Sequence, residues 1–409
     1  MFETIDICRA CESSQLSDIL AFGEMPLADG LLTAEKLSKD EPRFPLTVTF
    51  CNECSLLQIR ETVAPSLLYC DDYPYYSSFL EGWVQHCRRN ALELIDTRKL
   101  DANSLVMEIA CNDGYMLKNF VEKGIPVLGV DPASGPARAA EEAGVRVVND
   151  FFTTDLAKRL KEEGTEADLI LGNNVLAHVA DLNGFVQGMA TVLSEQGAIV
   201  IEAPYVLDLI EHCEFDTIYH EHHCYFSITA LAKLFTRHGL FLNNIRRLPT
   251  HGGSIRMFVE RHKNPTDELL GLLEEERRLG LDELAYYETF ADRVRKIQDS
   301  LSQMLSELKQ SGKKIAAYAA AAKGATLLNS AGIGTETLDF VVDRNRHKHG
   351  RYMPGVHIPI YDTPHLLEES PDYVLVLAWN HKEEIYRQQA EYKKRGGKFI
   401  VPIPQPAIE

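Results

Sequence analysis

The chain has 409 residues, of which 45% are hydrophobic and 25% charged, a globular composition that excludes a disordered or fibrous protein. At about 150 residues per domain, this length predicts two to four domains. The formal net charge of −18 disfavours nucleic acid and anionic membranes as partners. No apolar run approaches the roughly 18 residues of a membrane span. Nine cysteines without an export signal predict reduced thiols and a cytoplasmic location.

Residues 1–72 are loop-rich and contain two CxxC pairs, Cys8 with Cys11 and Cys51 with Cys54. A two-residue spacing lets a tight turn present both thiolates to one metal, and two such turns complete a tetrahedron. The spacing therefore predicts a structural Zn²⁺ with four protein ligands and no open coordination position. Two unrelated cysteine pairs, or a redox dithiol, are the alternatives.

Residues from about 80 to 262 alternate helical patterns with the apolar runs SLVMEIA, VLGVD, ADLILGNNV and AIVIEAP. Strands separated by helices predict a parallel α/β sheet, which binds ligands at the carboxyl ends of its strands. The first strand runs from Glu108 through Ala110 and Asn112 into Gly114, and Asp131 ends the second. Such a turn followed by an acid is compatible with NAD or S-adenosylmethionine, since the acid can accept both hydroxyls of a ribose.

The GxGxxG fingerprint of pyrophosphate-binding turns is absent, which disfavours NAD. The sequence EIACNDG instead resembles motif I of class I S-adenosylmethionine-dependent methyltransferases. The stretch containing Asn173 and Asn174 resembles their fourth strand and the polar pair that follows it. These residues are the predicted cofactor-binding set: Glu108, Ala110, Asn112, Gly114, Asp131, Asn173 and Asn174.

The segment FDTIYHEHHCYFS places three histidines, a glutamate and two tyrosines within seven positions. It lacks HExxH spacing, and adjacent residues of a strand point in opposite directions, so a shared metal is disfavoured. A solvated loop is the plainer alternative. Because the pKa of histidine lies near 6.5, the segment favours general acid–base chemistry near the cofactor edge of the sheet.

Residues 266–310 are charged and Leu-spaced, and they predict two exposed helices over LLGLLEEERR and LAYYETFADRVRKIQDSLSQMLSELK. From Lys313 the runs KIAAYAA, LDFVVD, YVLVLAW and KFIVPIP predict a second α/β unit with four strands. Lys323 opens a helix there and could meet a phosphate, as could Arg351, Asn380 and His381 near other strand ends. A surface cation or helix cap is the alternative for each.

Taken together, these motifs resemble the sugar C-methyltransferases, which make branched deoxysugars. The resemblance covers essentially the whole chain and includes several long motifs in order. They are YPYYSS at 73–78, GVDPA at 129–133, NNVLAHV at 173–179, FDTIYHEHHCYFS, THGGSIR at 250–256, AAAKGATLLN at 320–329, VVDRNRHKHGRYMPGVHIPI at 341–360 and PDYVLVLAWNHKEEI at 371–385.

The resemblance implies a zinc-binding module (1–72), a class I methyltransferase domain (73–262), and a helical hairpin followed by a Rossmann-like domain (263–409). The implied substrate is a nucleotide-linked 4-keto-6-deoxysugar, methylated at C3. By position, His222 looks like the general base, with Tyr219, Glu221 and His178 beside it and Tyr73 or Tyr76 completing the pocket. Methylation at oxygen, or an NAD-dependent sugar-nucleotide enzyme, remains the alternative, and the oligomeric state is open. Ala110, Ala317 and Ala319 stand where the family often has glycine.

Overall fold

A computed structural model describes residues 2–68, 76–79 and 81–409 of the chain. The amino-terminal module begins with short antiparallel strands, which suit its turn-rich sequence. Its elements are β1 (Phe2–Thr4), β2 (Leu16–Pro26), β3 (Arg43–Cys51), β4 (Leu57–Ile59), β5 (Glu61–Val63) and α1 (Pro65–Leu68). Strands β2, β3 and β4 pair in that order, and β1 pairs with β5.

The middle unit opens with the amphipathic helix α2 (Glu81–Arg98) and continues as alternating strands and helices. They are β6 (Val106–Ile109), α3 (Lys118–Val121), β7 (Val127–Val130), α4 (Ser134–Glu142), β8 (Val147–Val148), α5 (Thr154–Glu162), β9 (Ala167–Asn173), α6 (Leu182–Val192), β10 (Leu193–Pro204), α7 (Val206–Glu211), β11 (Cys224–Tyr225), α8 (Ile228–Arg237), β12 (Phe241–Leu248) and β13 (Ser254–Glu260).

Seven of these strands form one sheet in the order β12-β13-β10-β9-β6-β7-β8. The strands from β6 to β10 are parallel, whereas β13 runs antiparallel to β10 and to β12. The chain order reverses between β6 and β9, so a crevice opens at their carboxyl ends, where open α/β sheets bind ligands. Strand β11 lies outside this sheet and pairs with β4. This pairing joins the histidine segment, FDTIYHEHHCYFS at 215–227, to the amino-terminal module.

Two helices, α9 (Asp267–Leu279) and α10 (Phe290–Gln310), connect this unit to the last one. The second helix begins at Phe290 rather than near Leu284, because the chain around Leu284–Tyr286 forms a 3-10 turn. The prediction of exposed helices was also incomplete. Leu301 and Leu305 of α10 are fully buried, so one face of this amphipathic helix belongs to the core.

The carboxyl-terminal unit is a second α/β sheet. Its elements are β14 (Ile315–Tyr318), α11 (Ala322–Ser330), β15 (Val341–Val342), β16 (Ile360–Tyr361), α12 (His365–Glu369), β17 (Tyr373–Val376), α13 (Lys382–Gln388), α14 (Ala390–Lys394), β18 (Lys398–Val401) and β19 (Ala407–Ile408). The order is β16-β15-β14-β17-β18-β19, with only β19 antiparallel among these described strands. The described unit has six strands where four were predicted, since β16 and β19 are short edge strands that lie outside the four apolar runs.

Hydrogen bonds join the amino-terminal module to the last unit. Leu32 and Tyr352 exchange backbone hydrogen bonds of 3.0 and 2.9 Å, and the Glu41 carboxylate accepts the Gly355 N–H at 2.9 Å. No helix in the described part of the chain is both long and apolar enough to cross a membrane.

Candidate active site and zinc centre

The four predicted metal ligands come together at the end of the β2–β3 sheet. The Sγ atoms of Cys8, Cys11, Cys51 and Cys54 all lie within 4.8 Å of one another. Cys8 and Cys54 are 3.5 Å apart and Cys11 and Cys51 are 3.4 Å apart, close to the roughly 3.8 Å that a tetrahedral Zn²⁺ with 2.3 Å bonds requires. The Gln58 amide donates to the Cys8 sulfur at 3.3 Å, which supports thiolate character. The donor set and its geometry fit a structural zinc ion.

The turn after β6 forms a cradle at the sheet crevice. Ala110, Asn112 and Gly114 all have left-handed backbones, with φ of +58°, +48° and +74°. The N–H groups of Ala110 and Cys111 donate to the Val130 carbonyl at 2.8 and 3.3 Å, which fixes the turn against β7. One carboxylate oxygen of Asp131 accepts the Asn112 N–H at 2.8 Å, and the other accepts the Ala133 N–H at 2.9 Å. Each oxygen keeps a second lone pair, so Asp131 can still accept a ligand hydroxyl.

Several buried polar atoms around this cradle have no hydrogen-bond partner of normal geometry in the described part of the chain. They belong to the carboxylate of Glu108, to Asp113 Oδ1 and to Asn173 Oδ1. Burial raises the pKa of Glu108 well above its usual range. Buried polar groups without partners are rare in folded proteins and call for a ligand or water. An ammonium group and ribose hydroxyls, as S-adenosylmethionine carries, would satisfy these acceptors. Asn174, also left-handed at φ +54°, donates its backbone N–H to the Glu202 carbonyl.

The histidine segment forms a second group of side chains between β9 and the amino-terminal sheet. The His222 Nδ1 lies 2.8 Å from the Thr217 carbonyl oxygen, and its Nε2 lies 2.9 Å from the Tyr219 hydroxyl. A carbonyl only accepts, so Nδ1 carries the proton and Nε2 presents a lone pair to the tyrosine. The His178 ring packs edge-on against His222, with centroids 4.7 Å apart.

Burial is the largest influence on the protonation states of His178, His222 and Glu221. It lowers the pKa of His178 to about 4, and burial together with neighbouring His178 lowers the pKa of His222 well below its usual range. Both imidazoles are therefore neutral at neutral pH. Burial, with the nearby Asp29 charge adding to it, raises the pKa of Glu221 to about 8, so this carboxyl is mostly protonated. The expected contact of Glu221 with the His222 ring is not formed, because the Thr217 carbonyl occupies Nδ1.

Tyr76 lies against the cofactor cradle and the last domain. Its hydroxyl is so close to Gly135 that a Cβ added there would approach it to 2.7 Å, and its ring faces His347 at 6.1 Å. The neighbouring Ser77 N–H donates to the Asn112 side chain at 2.8 Å. Tyr73 lies outside the described residues.

The carboxyl-terminal unit repeats the backbone of the cradle. Ala319 is left-handed at φ +77°, and the Asp343 carboxylate accepts the N–H groups of Ala320 and Asn345, both at 2.7 Å. Ala317, in contrast, lies fully buried within β14 and pairs with Val341.

Lys323 is not a surface cation, since its Nζ is buried and has no hydrogen-bond partner in the described part of the chain. It lies 4.8 Å from the centre of the Trp379 ring. Arg351 follows the Arg346–Lys348 turn, while Asn380 and His381 belong to the turn after β17. Burial lowers the pKa of His381.

Three family models match successive parts of the chain. A putative zinc-binding domain matches residues 8–69, a methyltransferase domain matches 81–243, and a C-methyltransferase C-terminal domain matches 249–404. The C-methyltransferase NovU of Streptomyces niveus is 34% identical over 409 residues, which cover 99% of this chain and 97% of that protein. The chain belongs to the C-methyltransferase family.

Other similarities are more local. The ubiquinone biosynthesis O-methyltransferase of Bartonella tribocorum is 31% identical over 100 residues, 24% of this chain and 40% of that protein. Magnesium protoporphyrin IX methyltransferase from Synechocystis, solved with bound S-adenosylmethionine, is 13% identical with a TM-score of 0.34, covering 44% of this chain and 80% of that one. The full-length match, the methyltransferase domain and the cradle together identify an S-adenosylmethionine-dependent C-methyltransferase with a zinc-binding module.

Sequence reasoning did not single out several residues that shape this site. The Thr217 carbonyl fixes the His222 tautomer, and the Trp379 indole N–H donates to the Asp216 carboxylate at 2.7 Å. Burial raises the pKa of Glu221, and Asp29, from a different part of the chain, adds to that effect. A backbone carbonyl has no signature in a sequence. Trp379, however, is one of two tryptophans and ends a predicted strand, which was a usable signal.

Proposed function

We propose that the enzyme methylates C3 of a nucleotide-linked 4-keto-6-deoxysugar, with His222 as the general base. Methylation at carbon needs a carbon nucleophile, and a sugar C–H becomes acidic only next to a carbonyl. A 4-keto group meets that need, because loss of the C3 proton gives an enolate. The single observation that carries this proposal is the neutral, oriented imidazole of His222, whose Nε2 lone pair points away from Thr217.

In the proposed reaction, the C3–H bond breaks and its proton passes to Nε2 of His222, while the electron pair delocalises onto O4. The Tyr219 hydroxyl, which donates to Nε2 in the present structure, is released when C3–H approaches and donates to the O4 oxyanion instead. S-adenosylmethionine supplies the electrophilic methyl group when bound, and C3 accepts it as the carbon–sulfur bond breaks. The enzyme contributes proximity and the exclusion of water.

The electrostatics of the pocket suit this role. A low pKa keeps His222 unprotonated, so the base is available throughout the neutral range. The same low pKa makes the imidazole a weaker base, so proton removal relies on the 4-keto group to acidify C3–H, and it makes the imidazolium that forms lose its proton readily afterwards. His178 is neutral as well and adds a second hydrogen-bonding ring beside the reacting carbon.

The nucleotide is proposed to lie on the carboxyl-terminal domain (263–409), with the methyl donor on residues 73–262. Lys323 supports this, since it lies in the first turn of α11 and its buried Nζ has no hydrogen-bond partner in the described part of the chain. The nearby carboxylates of Glu214 and Asp216 offset part of its charge. Lys348 brings a second cation to the strand ends, with its Nζ 2.7 Å from the Ala320 carbonyl. Arg351 and Asn380 are proposed as further substrate contacts. The cytoplasmic location remains a prediction.

Two measurements test the proposal separately. Purified enzyme is incubated with S-adenosylmethionine and 4-keto-6-deoxysugars carrying dTDP, GDP or CDP, and mass spectrometry looks for a gain of one methyl group. Substrate deuterated at C3 is then incubated without the methyl donor, and loss of the label reports enolate formation alone. We expect His222→Asn to lower both rates by about 10²- to 10⁴-fold.

The matched control is His212→Asn, which changes a half-exposed histidine of the preceding turn. It should keep wild-type rates in both assays. Retention of the C3 label during turnover would exclude an enolate and favour methylation at oxygen. Wild-type turnover of His222→Asn at saturating substrate would exclude this residue as the base.

A further inference from the structure

A hydrogen bond crosses from the carboxyl-terminal domain to the histidine segment. The Trp379 indole N–H, in the turn after β17, donates to Asp216 Oδ2 at 2.7 Å. Asp216 is fully buried, and its other carboxylate oxygen has no hydrogen-bond partner in the described part of the chain, although the Lys323 charge acts on this carboxylate. A second contact runs beside it, because the Thr326 hydroxyl of α11 donates to the Ile218 carbonyl at 3.2 Å. The carboxyl-terminal domain therefore contacts the histidine segment at two residues, Asp216 and Ile218.

Asp216 and Ile218 lie on either side of Thr217, whose carbonyl orients the His222 ring. Asp216 belongs to the buried 3-10 turn Phe215–Thr217, and its chain neighbour Thr217 supplies the carbonyl that accepts the His222 Nδ1–H at 2.8 Å. The direction of that carbonyl depends on the turn staying in place. Only one peptide unit separates the cross-domain contact from the contact that sets the tautomer.

We propose that Trp379 and Asp216 are positioning residues for His222. Their hydrogen bond holds the turn so that the Thr217 carbonyl keeps the imidazole in the tautomer with its lone pair on Nε2. This inference rests on the proposed role of His222 as the base. The hydrogen bond from Trp379 offsets part of the cost of burying the Asp216 carboxylate.

The same indole also lies against Lys323, at 4.8 Å from ring centre to Nζ. One side chain thus contacts both the cation proposed to meet the substrate and the turn that orients the base. A phenylalanine at position 379 keeps a ring over Lys323 but removes the N–H, so it separates the two contacts.

The test compares kcat and KM for Trp379→Phe, Asp216→Asn, Asp216→Ala and the double variant Trp379→Phe/Asp216→Ala. Because a displacement of about 1 Å can cost about 100-fold in rate, we expect kcat to fall about 10- to 100-fold in Trp379→Phe and Asp216→Ala. KM for the sugar nucleotide should stay within about threefold in Trp379→Phe, whereas Asp216→Ala also removes a carboxylate that acts on Lys323 and is judged by kcat alone. Asp216→Asn keeps an oxygen that accepts the indole N–H and should stay within about fivefold of wild type. The double variant should be no slower than the slower single variant, since both remove one bond.

Calorimetric binding of S-adenosylmethionine and the thermal midpoint show whether each variant is folded. Tyr361→Phe, at an exposed tyrosine of β16, is the aromatic control and should match wild type.

Unchanged kcat in Trp379→Phe, or equal losses in Asp216→Asn and Asp216→Ala, would overturn the inference. If Asp216→Ala does not fold, Trp379→Phe and Asp216→Asn decide the matter by themselves. Should His222→Asn be fully active, the proposed function fails first; should it be inactive while Trp379→Phe is wild type, only the positioning role fails.

Discussion

Glu276 joins the helical hairpin to the methyltransferase domain through four hydrogen bonds to one buried carboxylate. Its oxygens accept the Tyr205 hydroxyl at 2.8 Å, the Ile228 N–H at 2.7 Å, and the N–H and hydroxyl of Thr229 at 2.8 and 2.7 Å. Glu276 is fully buried in α9, and the two amides open α8. The carboxylate therefore satisfies donors that a helix amino terminus otherwise leaves unpaired.

We expect Glu276→Ala to lower the free energy of unfolding by about 4 kcal/mol, because four hydrogen bonds are lost at about 1 kcal/mol each. For a cooperative unit of 150–250 residues this corresponds to a fall of about 8–16 °C in the thermal midpoint. Glu276→Gln keeps one accepting oxygen and should lose about half as much.

Urea denaturation and calorimetry of the zinc-loaded protein measure these changes. The matched control is Glu274→Ala on the same helix, where an exposed side chain pairs with Arg277 and should contribute under about 1 kcal/mol. If Glu276→Ala were no less stable than Glu274→Ala, the carboxylate would not be a structural clasp and the reasoning would be wrong.

Three further predictions concern the metal, the acid and the cradle. Cys51→Ser should lose the bound zinc, measured by atomic absorption, and with it the enzyme activity, because β11 of the histidine segment pairs with the amino-terminal sheet. Since the pKa of Glu221 is raised to about 8, wild-type stability should fall as pH rises from about 4.5 to 8, by on the order of 5 kcal/mol at most. Glu221→Gln should flatten that fall between pH 5 and 9 in thermal melts; an unchanged slope would contradict the assignment. Ala110→Gly should raise stability by about 0.5–1 kcal/mol, because glycine adopts φ +58° without strain.

The predictions that succeeded rest on local patterns. Two CxxC pairs predict a metal site without knowledge of the rest of the fold, because the spacing of the ligands within each turn is set by neighbouring residues. The long apolar runs predict β6, β7, β9, β10, β14, β17 and β18, because strands of four or more mostly buried residues leave an apolar pattern in the sequence. The turn after the strand that contains Glu108, together with Asp131 at the end of the next strand, likewise predicts a cofactor-binding turn from the sequence.

What the sequence could not supply is which distant groups meet. Two-residue strands such as β16 and β19 exist only because a neighbouring strand offers hydrogen bonds. Glu221 or Tyr219 was expected to fix the His222 tautomer; the Tyr219 hydroxyl does contact Nε2, but the carbonyl of Thr217 holds the Nδ1 proton, and every residue has such a carbonyl. The bond between Asp216 and Trp379 joins residues 163 positions apart. The chain alone determines which elements form and which chemical groups are available, because these depend on near neighbours. Only the packing of three units decides the tautomer, the burial and the protonation of the site, because these depend on contacts that no local pattern records.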